Sequence, residues 1–282
     1  MKYVFIDTNV FLNFYSFNKD HLDKLKELVR LIKESKIKLI LPRQVIDEFN
    51  RNRENKLKET LDYLDSFKNK FRSPTTCHDF SEMKEIQKKI NESRELSGKV
   101  KTNLLKQINE KSLSADKLIL EIFSSSNIEE ISDELFNRAK RRFDLGNPPG
   151  KNNSYGDAIN WECCLEVVPE KRSLYLIAGD NDYVSKINPN QLSDFLKDEW
   201  KKRKKSEIYY SQLISEFLRE KFPETKIGYI EVKEEREAVN ESLLSFGSGT
   251  YRLFISEHMK SLINESDLIT HLTQNLQLHE QF

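Results

Sequence analysis

Three short apolar runs, separated by helical patterns, constrain the fold of this chain more than any other feature of its sequence. They are Tyr3–Ile6, Lys38–Leu41 and Leu174–Ala178. Each run is rich in β-branched or aromatic residues and is too short for a helix, which is typical of strands buried on both faces. Strands and helices that alternate in this way predict a mostly parallel sheet with helices on both sides.

Helical patterns occupy the intervals between the runs. Only 8 of the 282 residues are glycine, which argues against a turn-rich all-β fold. The expected fold is therefore α/β, an α/β/α sandwich around a parallel sheet. The further elements that we predict are helices at Val10–Tyr15, His21–Glu34, Gln44–Asn50 and Asp157–Val168, a strand at Glu207–Tyr210, and a helix at Ser211–Lys221 that Pro223 ends.

Two stretches add to this pattern. Residues 51–142 are rich in Lys, Glu, Asn and Leu, with the Leu residues at helical spacing, and they predict a long helical insertion in the form of a hairpin. Residues 143–156 are dense in Gly, Pro and Asn and predict a loop. We expect a main domain over residues 1–225, which includes the insertion, and a mostly helical C-terminal extension over residues 226–282, in which residues 226–232 fit a strand.

Charge is distributed unevenly along the chain, although the net charge is zero. Residues 1–206 carry 39 Lys and Arg against 33 Asp and Glu, whereas residues 207–282 carry 7 against 13. A mildly basic body fits a protein that binds a polyanion, but uneven helix surfaces would give the same counts. The densest basic cluster, Lys201–Lys205, has two interpretations of equal weight: a solvated helix end after Trp200, or contact with phosphate.

The cysteines and the apolar segments indicate the cellular compartment in which the protein is expected. Cys77, Cys163 and Cys164 are odd in number and two are adjacent, which suits neither a disulfide framework nor a zinc site, so free thiols in a reducing compartment are expected. The apolar run at the N-terminus is too short for a signal peptide, and no stretch approaches the roughly 20 apolar residues of a membrane span. We expect a cytoplasmic protein without a membrane partner.

Acidic residues follow or lie close to the ends of the predicted central strands. Asp7 follows the first strand, and Glu48 lies in the first turns of the helix after the second. Asp157 opens the helix after the loop, and Asp180 follows the third strand, with Asp182 two residues on. Ligands of open α/β sheets bind beyond the carboxyl ends of the strands. These side chains are therefore expected to meet there, although they are far apart in sequence.

Each acid also has a structural explanation. Asp7 and Asp157 could cap helices, because a carboxylate accepts hydrogen bonds from backbone N–H groups at a helix start. Glu48 could lie on an exposed helix surface, and Asp180 could close a turn with its side chain. These explanations must all hold together, and they leave unexplained why acids occur at the end of nearly every central strand.

A carboxylate cluster has a specific electrostatic requirement. Carboxylates that are close together repel one another and are costly to remove from water. A hard divalent cation such as Mg²⁺ or Mn²⁺ offsets this repulsion, since it prefers oxygen ligands. Such a site suits hydrolysis of phosphodiester bonds, because the ion lowers the pKa of a bound water and stabilises the leaving 3′ oxygen. The residues therefore predict a Mg²⁺- or Mn²⁺-dependent nuclease.

The acids stand within four short motifs that resemble, in order, the motifs of PIN-domain ribonucleases. The motifs are Ile6–Asn9, Leu41–Phe49, Gly156–Ile159 and Ala178–Tyr183. The resemblance implies a small parallel α/β sheet and a metal-dependent endonuclease that usually acts on RNA. By position, it assigns catalysis and metal binding to the acidic quartet Asp7, Glu48, Asp157 and Asp180.

The resemblance extends to neighbouring residues and also has limits. Asp182 matches a frequent accessory metal ligand, and Thr8 and Asn9 match polar neighbours that orient the first carboxylate or a phosphate. Ala178-Gly179 replaces the Thr often found before the fourth acid. The long insertion and the C-terminal extension depart from compact members, and they are similar to larger bacterial PIN-like proteins, some of which are associated with toxins or phage defence.

Other side chains near the predicted site are candidates for contact with nucleic acid. In the loop over residues 143–156, Lys151 could meet a phosphate and Tyr155 could stack on an unpaired base. At the start of that loop, Arg141 and Arg142 could add positive potential. An ordinary flexible loop is the alternative explanation for each of these residues.

The leading hypothesis is an endoribonuclease that acts on single-stranded RNA, as a toxin or phage-defence effector held in check by an inhibitory protein partner. A nuclease acting on single-stranded DNA is one alternative. A non-catalytic RNA-binding or scaffold protein is another, although unused clustered acids would only destabilise it. A phosphatase of the haloacid dehalogenase type would carry Asp at position 9, where this chain has Asn. The C-terminal extension is a candidate for homodimerisation.

Overall fold

The computed structural model describes residues 1–15, 20–69, 74–77, 79–150, 154–179 and 182–223, with residues 67–69 described in their backbone alone. These residues lie in the first of the two units into which the chain divides, Met1–Ile230 and Glu231–Phe282. The predicted C-terminal extension lies outside the described residues. Among the helices within the described ranges, none has the length and apolar content that crossing a membrane requires.

Strands and helices alternate through the described part of the chain. Short 3₁₀ turns occur at Asn13–Tyr15 and Thr75–Cys77. The longer elements, in chain order, are β1 (Lys2–Ile6), α1 (Thr8–Leu12), α2 (Leu22–Lys33), β2 (Ile37–Pro42), α3 (Arg43–Asn69), α4 (Ser81–Asn109), α5 (Ser114–Ser124), β3 (Ile128–Glu129), α6 (Asp133–Asp144), α7 (Gly156–Val167), β4 (Leu174–Ile177), α8 (Asp194–Lys204), β5 (Ile208–Ser211) and α9 (Ile214–Lys221).

The five strands of the described residues form one parallel sheet in the order β3-β2-β1-β4-β5. Central strand β1 pairs on one side with β2, where Phe5 faces Ile40, and on the other with β4, where Ile6 faces Ile177. Residues Val4–Ile6 of β1 are buried, as the continuous apolar run predicts for a strand covered on both faces. All carboxyl ends therefore share one edge of the sheet.

Helices cover the sheet in two layers. On one side α2 contacts α5, α9 and β2, and α9 also contacts β4 and β5. On the other side α7 contacts α6, α8 and β2, and Trp161 of α7 packs against Trp200 of α8 with ring centroids 5.9 Å apart. The predicted α/β/α sandwich is confirmed.

The stretch predicted as a helical insertion contains more than a hairpin. Helix α3 starts at Arg43, directly after Pro42 ends β2, and it runs on without a break into that stretch. It contacts α4, and Lys101 of α4 pairs with Asp65 of α3 at 2.5 Å. Strand β3 and most of helix α6 also fall within residues 51–142, and they join the sheet and its helical layer.

A buried ionic cluster joins α3 to α5 and to the turn after α1. The carboxylate of Asp116 accepts hydrogen bonds from Arg53 at 2.7 and 2.6 Å and from the hydroxyl of Tyr15 at 2.5 Å. Burial and the neighbouring Asp116 carboxylate raise the pKa of Tyr15 well above its ordinary value. This cluster fixes the segment that follows α1, and hence the helix that begins at the carboxyl end of β1.

The three cysteines are free thiols, as the sequence predicts. Cys163 and Cys164 are buried in α7, and burial raises the pKa of Cys163 to about 12. Cys77 is half-buried.

Candidate active site

The carboxyl ends of β1 and β4 lie side by side and place Asp7 at the middle of the sheet edge. The amide of Asp7 donates a hydrogen bond to the carbonyl of Ile177 at 2.8 Å. Asp7 is only 2% exposed, and it stands at the N-cap position of α1 without making a capping hydrogen bond through its side chain. Burying a carboxylate costs free energy unless its environment compensates for the lost water. Helix capping therefore does not explain why an acid occupies this position.

Glu48 of α3 lies against the first residue of α7. A methyl group built on Gly156 would lie 3.5 Å from Oε2 of Glu48 and 2.8 Å from Nε2 of Gln44. Glycine therefore lets α7 begin unusually close to α3. Asp157 is the next residue, half-buried in the first turn of α7, and the N-cap position belongs to Tyr155. The second and third predicted acids thus stand on helices whose starts are in contact, and Asp157 is not the N-cap.

The end of β4 approaches the turn that follows α1. A methyl group on Gly179 would lie 3.8 Å from Nδ2 of Asn13. Asp182 is half-buried, whereas Asp180 and Lys151 lie outside the described residues. Within the described residues, no three His, Cys, Asp or Glu side chains are grouped as a metal site would require. Convergence of the full acidic quartet stays a prediction.

The two polar neighbours of Asp7 differ in exposure. Thr8 is 0% exposed, and its Oγ1 has no hydrogen-bond partner among the residues that the structure describes. Burial keeps Thr8 off the surface, and the predicted roles of its hydroxyl, toward the Asp7 carboxylate or toward a phosphate, stay predictions. Asn9 is half-buried on the same helix and stays a candidate for contact with nucleic acid.

Arg142 does not lie where a contact with nucleic acid would require. It is 5% exposed, and its guanidinium donates hydrogen bonds to Glu162 at 2.8 Å, to Glu199 at 2.5 Å and to the carbonyl of Pro148 at 2.6 Å. These contacts join α6, α7, α8 and the loop that follows α6. The expectation that Arg142 binds nucleic acid was wrong, because the buried carboxylate of Glu162 and the half-buried carboxylate of Glu199 hold its charge inside the fold. Arg141 is exposed.

Tyr155 packs against the helix before the loop. Its ring centroid lies 4.7 Å from that of Phe143 and 5.9 Å from that of Phe136, both in edge-to-face geometry. The ring is half-buried, so Tyr155 ties the start of α7 to α6. The expected stacking of Tyr155 on a base remains a proposal.

Two arginines near Glu48 on α3, Arg43 and Arg53, are engaged in ion pairs. Arg43 donates to both carboxylate oxygens of Glu130, at 3.2 and 3.1 Å, and this hydrogen bonding raises the pKa of Arg43. Arg53 is paired with the buried Asp116. Arg51, three residues after Glu48 on the same helix, is exposed and is the remaining arginine there that could contribute positive charge near a phosphate.

The basic cluster Lys201–Lys205 lies at the opposite edge of the sheet. It closes α8, which ends just before the amino end of β5. Lys204 is buried and donates to the carbonyl of Val168, and Lys205 pairs with Glu170 at 2.9 Å. This geometry favours the first interpretation of the cluster, a helix end, over contact with a phosphate at the candidate site.

Three amides near the predicted acids were not identified from the sequence. Gln44 stands one turn before Glu48, and Asn13 one turn after Asn9. Asn160 stands one turn after Gly156 and is 0% exposed, and neither Oδ1 nor Nδ2 has a hydrogen-bond partner within the described part of the chain. Helical spacing of three or four residues from each acid motif was the signal that could have found them.

Comparison with known protein families identifies a family for this chain. The sequence profile described as PIN domain matches residues 4–183, which is more than half of the chain. Searches among curated proteins and among solved structures find no significant match.

Proposed function

Because the chain belongs to the PIN domain family, whose members are generally nucleases that use divalent metal ions, we propose that it is a Mg²⁺- or Mn²⁺-dependent endoribonuclease. Its substrate in this proposal is single-stranded RNA, and its reaction is hydrolysis of phosphodiester bonds. The proposed catalytic residues are the acidic quartet, Asp7, Glu48, Asp157 and Asp180, with Asp182 as an accessory metal ligand.

One observation carries the proposal: the contact of the Glu48 carboxylate with Gly156, at 3.5 Å from the point that a methyl group there would occupy. It brings together the starts of α3 and α7, one with Glu48 and the other with Asp157. The hydrogen bond from Asp7 to Ile177 makes the matching connection between β1 and β4. Both connections lie at the carboxyl edge of a parallel sheet, where ligands of such folds bind.

The side chains at this edge fit a hard divalent cation. They are carboxylates, a hydroxyl and amides, and Mg²⁺ and Mn²⁺ prefer oxygen ligands. Thr8 offers a buried hydroxyl for which the described residues supply no partner. A buried polar atom without a partner is costly, and ligand binding is one way to satisfy it. His and Cys do not occur in the four motifs, so a softer metal is not favoured.

The acidic quartet would hold the ion, and the ion would supply positive charge for the phosphate and acidity for a coordinated water. Asp7 would hold its carboxylate in a fixed direction, because it is buried at a strand end. Glu48 and Asp157 would approach from the starts of two helices, whose positive dipole ends stabilise negative charge. Asn9, Lys151 and Tyr155 are the proposed contacts to the nucleic acid.

The proposed biological role is that of a toxin or phage-defence effector restrained by an inhibitory protein partner. The C-terminal extension is the proposed element for homodimerisation. The first proposal rests on the resemblance of the sequence to larger bacterial PIN-like proteins, and the second on the position of the extension outside the four motifs. Expression of the wild-type chain and of an Asp7→Asn variant in cells would test the proposed toxin or defence role. Growth arrest is expected with the wild-type chain and not with the Asp7→Asn variant.

A cleavage assay tests the proposed activity. Purified full-length protein is incubated with end-labelled single-stranded RNA and with single-stranded DNA of the same sequence, in Mn²⁺, in Mg²⁺ and in EDTA. We expect internal cleavage of RNA in either metal and none in EDTA. Asp7→Asn should abolish cleavage, because it removes one negative ligand while keeping the size of the side chain.

Asp47 provides a matched control for this assay. It is exposed and adjacent to Glu48 on α3, so Asp47→Asn removes a nearby acid outside the proposed site and should leave cleavage unchanged. Cleavage of DNA alone would overturn the proposed substrate. Metal-dependent RNA binding without cleavage would favour the non-catalytic alternative.

A further inference from the structure

A fully buried amide stands one turn after the start of α7, and the described residues offer it no hydrogen-bond partner. Asn160 of α7 is 0% exposed, and the structure offers neither its Oδ1 nor its Nδ2 a partner among the described residues. The large majority of buried side-chain polar atoms in proteins have a hydrogen-bond partner. The amide of Asn160, by contrast, keeps its full capacity to accept and donate hydrogen bonds to a bound water or ligand.

Helix geometry directs this amide toward the acids. Asn160 lies four residues after Gly156 and three after Asp157, so it shares one face of α7 with both. Its Cα is displaced from that of Gly156 by about 6 Å along the helix axis. Side chains of a helix lean toward its N-terminus, so the amide of Asn160 lies over the turn that holds Gly156 and Asp157.

That turn is the one that the Glu48 carboxylate contacts. Oε2 of Glu48 lies 3.5 Å from the point that a methyl group on Gly156 would occupy. Helical spacing therefore places Asn160 on the face of α7 that carries Gly156 and its contact with α3. The other faces of α7 have different neighbours: Trp161 donates to Glu199 of α8, and Glu162 pairs with Arg142 of α6.

We propose that Asn160 is a positioning residue of the metal-loaded site, whose amide hydrogen-bonds ordered water in the hydration shell of the divalent ion. The inference rests on the proposed function, because it needs an ion held by the acidic quartet. An amide suits this role, since its oxygen accepts a hydrogen bond and its nitrogen donates two. Mg²⁺ keeps several of its waters in proteins, and residues that hold a metal's surroundings in place affect its affinity.

The test is a Mn²⁺ titration of the full-length protein by calorimetry, with thermal unfolding of the metal-free protein measured in parallel. Asn160→Leu replaces the amide by an apolar group of similar shape, and Asn160→Ala leaves room for a water. We expect either change to raise the Kd for Mn²⁺ by about 10- to 100-fold. Asn160→Leu should also keep or raise the metal-free Tm, because it removes a buried amide that has no partner among the described residues.

Ile159→Val is the matched control for disturbed packing. Ile159 is 5% exposed in the same helix, so its truncation should lower the metal-free Tm and leave the Kd for Mn²⁺ unchanged. A Kd unchanged in both Asn160 variants would overturn the inference. So would a lower metal-free Tm in Asn160→Leu together with an unchanged Kd, which would indicate an amide that binds structural water.

Asp7→Asn separates failure of this inference from failure of the proposed function. If wild type binds Mn²⁺ and Asp7→Asn does not, the metal site stands and the Asn160 variants decide the inference alone. If wild type does not bind Mn²⁺, or if Asp7→Asn binds it equally well, the metal site itself is wrong and the inference falls with it.

Discussion

The Oε2 atom of Glu48 lies 3.5 Å from the point that a methyl group on Gly156 would occupy. This contact joins the first turns of α3 and α7, and Asp157 is the next residue of α7. Both helices begin at the carboxyl edge of the sheet, so their positive dipole ends face the same region. The two helix dipoles lower the electrostatic repulsion between the carboxylates of Glu48 and Asp157. The close approach of the helices depends on glycine at position 156.

Gly156→Ala tests that dependence. The added methyl group would lie 2.8 Å from Nε2 of Gln44, so the amide of Gln44 has to move, and the Glu48 carboxylate is its neighbour. Alanine is favoured over glycine in helices by about 1 kcal/mol, and this gain offsets part of the free-energy cost of moving Gln44. The free energy of unfolding should therefore change by about 1 kcal/mol or less. We expect RNA cleavage to fall by at least about 10-fold, since small displacements of catalytic groups are costly.

Gly98→Ala is the matched control for this prediction. Gly98 lies within α4, distant in sequence from the acid motifs, and the same substitution there should stabilise the helix and leave cleavage unchanged. Cleavage by Gly156→Ala at the wild-type rate would mean that the contact between Glu48 and Gly156 has no catalytic importance.

The sequence predicts the sheet well because its central strands are continuous apolar runs. Predicted strand Tyr3–Ile6 is observed as Lys2–Ile6, and Leu174–Ala178 as Leu174–Ile177. Strand β3 was not predicted, because Ile128–Glu129 contains only two residues and its pairing with β2 is decided by tertiary structure.

The role of a site residue was harder to predict from the sequence where it depends on contacts with residues that are distant in the chain. Arg142 was expected to bind nucleic acid, but its carboxylate partners come from α7 and α8, 20 and 57 residues away, which local sequence cannot reveal. Asn160 went unnoticed for a different reason. Its helix is buried on almost every side, so no polar face makes a single inward-facing amide conspicuous.

Arg142→Ala should destabilise the fold strongly. The substitution leaves Glu162, which is 4% exposed, without its main partner, and breaking a buried ion pair in this way costs about 3–5 kcal/mol. Arg142→Lys should rescue only part of the loss, because an ammonium cannot span the three acceptors that the guanidinium reaches. Urea unfolding measures both.

Arg141, the exposed neighbour of Arg142, provides the control for the predicted destabilisation by Arg142→Ala. Arg141→Ala should change the free energy of unfolding by less than about 0.5 kcal/mol. If Arg142→Ala unfolds like wild type but binds RNA less tightly, the structural role assigned to Arg142 is wrong and the original expectation of a nucleic-acid contact returns.

Tyr15 makes the free energy of unfolding depend on pH in the alkaline range. Burial, followed by the Asp116 carboxylate, raises the pKa of Tyr15 above its ordinary value of 10.0. The folded state therefore holds this proton more tightly than the unfolded state does. Its contribution to stability is complete below pH 10 and is lost as the pH rises above 10. We expect Tyr15→Phe to be less stable than wild type by about 1–2 kcal/mol at neutral pH.

The difference between Tyr15→Phe and wild type should shrink as the pH rises above the ordinary tyrosine pKa of 10.0, and urea unfolding at a series of pH values measures it. Tyr63→Phe, which alters an exposed tyrosine of α3, should follow the wild-type profile. A difference between Tyr15→Phe and wild type that stays constant through this range would show that the Tyr15 proton is not held by Asp116.

The most direct test of the central claim is thermal unfolding of Asp157→Asn with and without Mn²⁺. If the acids share one pocket, removing one charge relieves repulsion in the metal-free protein, so its Tm should rise above that of wild type. The stabilisation by Mn²⁺ that wild type gains should be largely lost, since the variant binds the ion more weakly. A lower metal-free Tm together with an undiminished shift by Mn²⁺ would contradict the shared metal site.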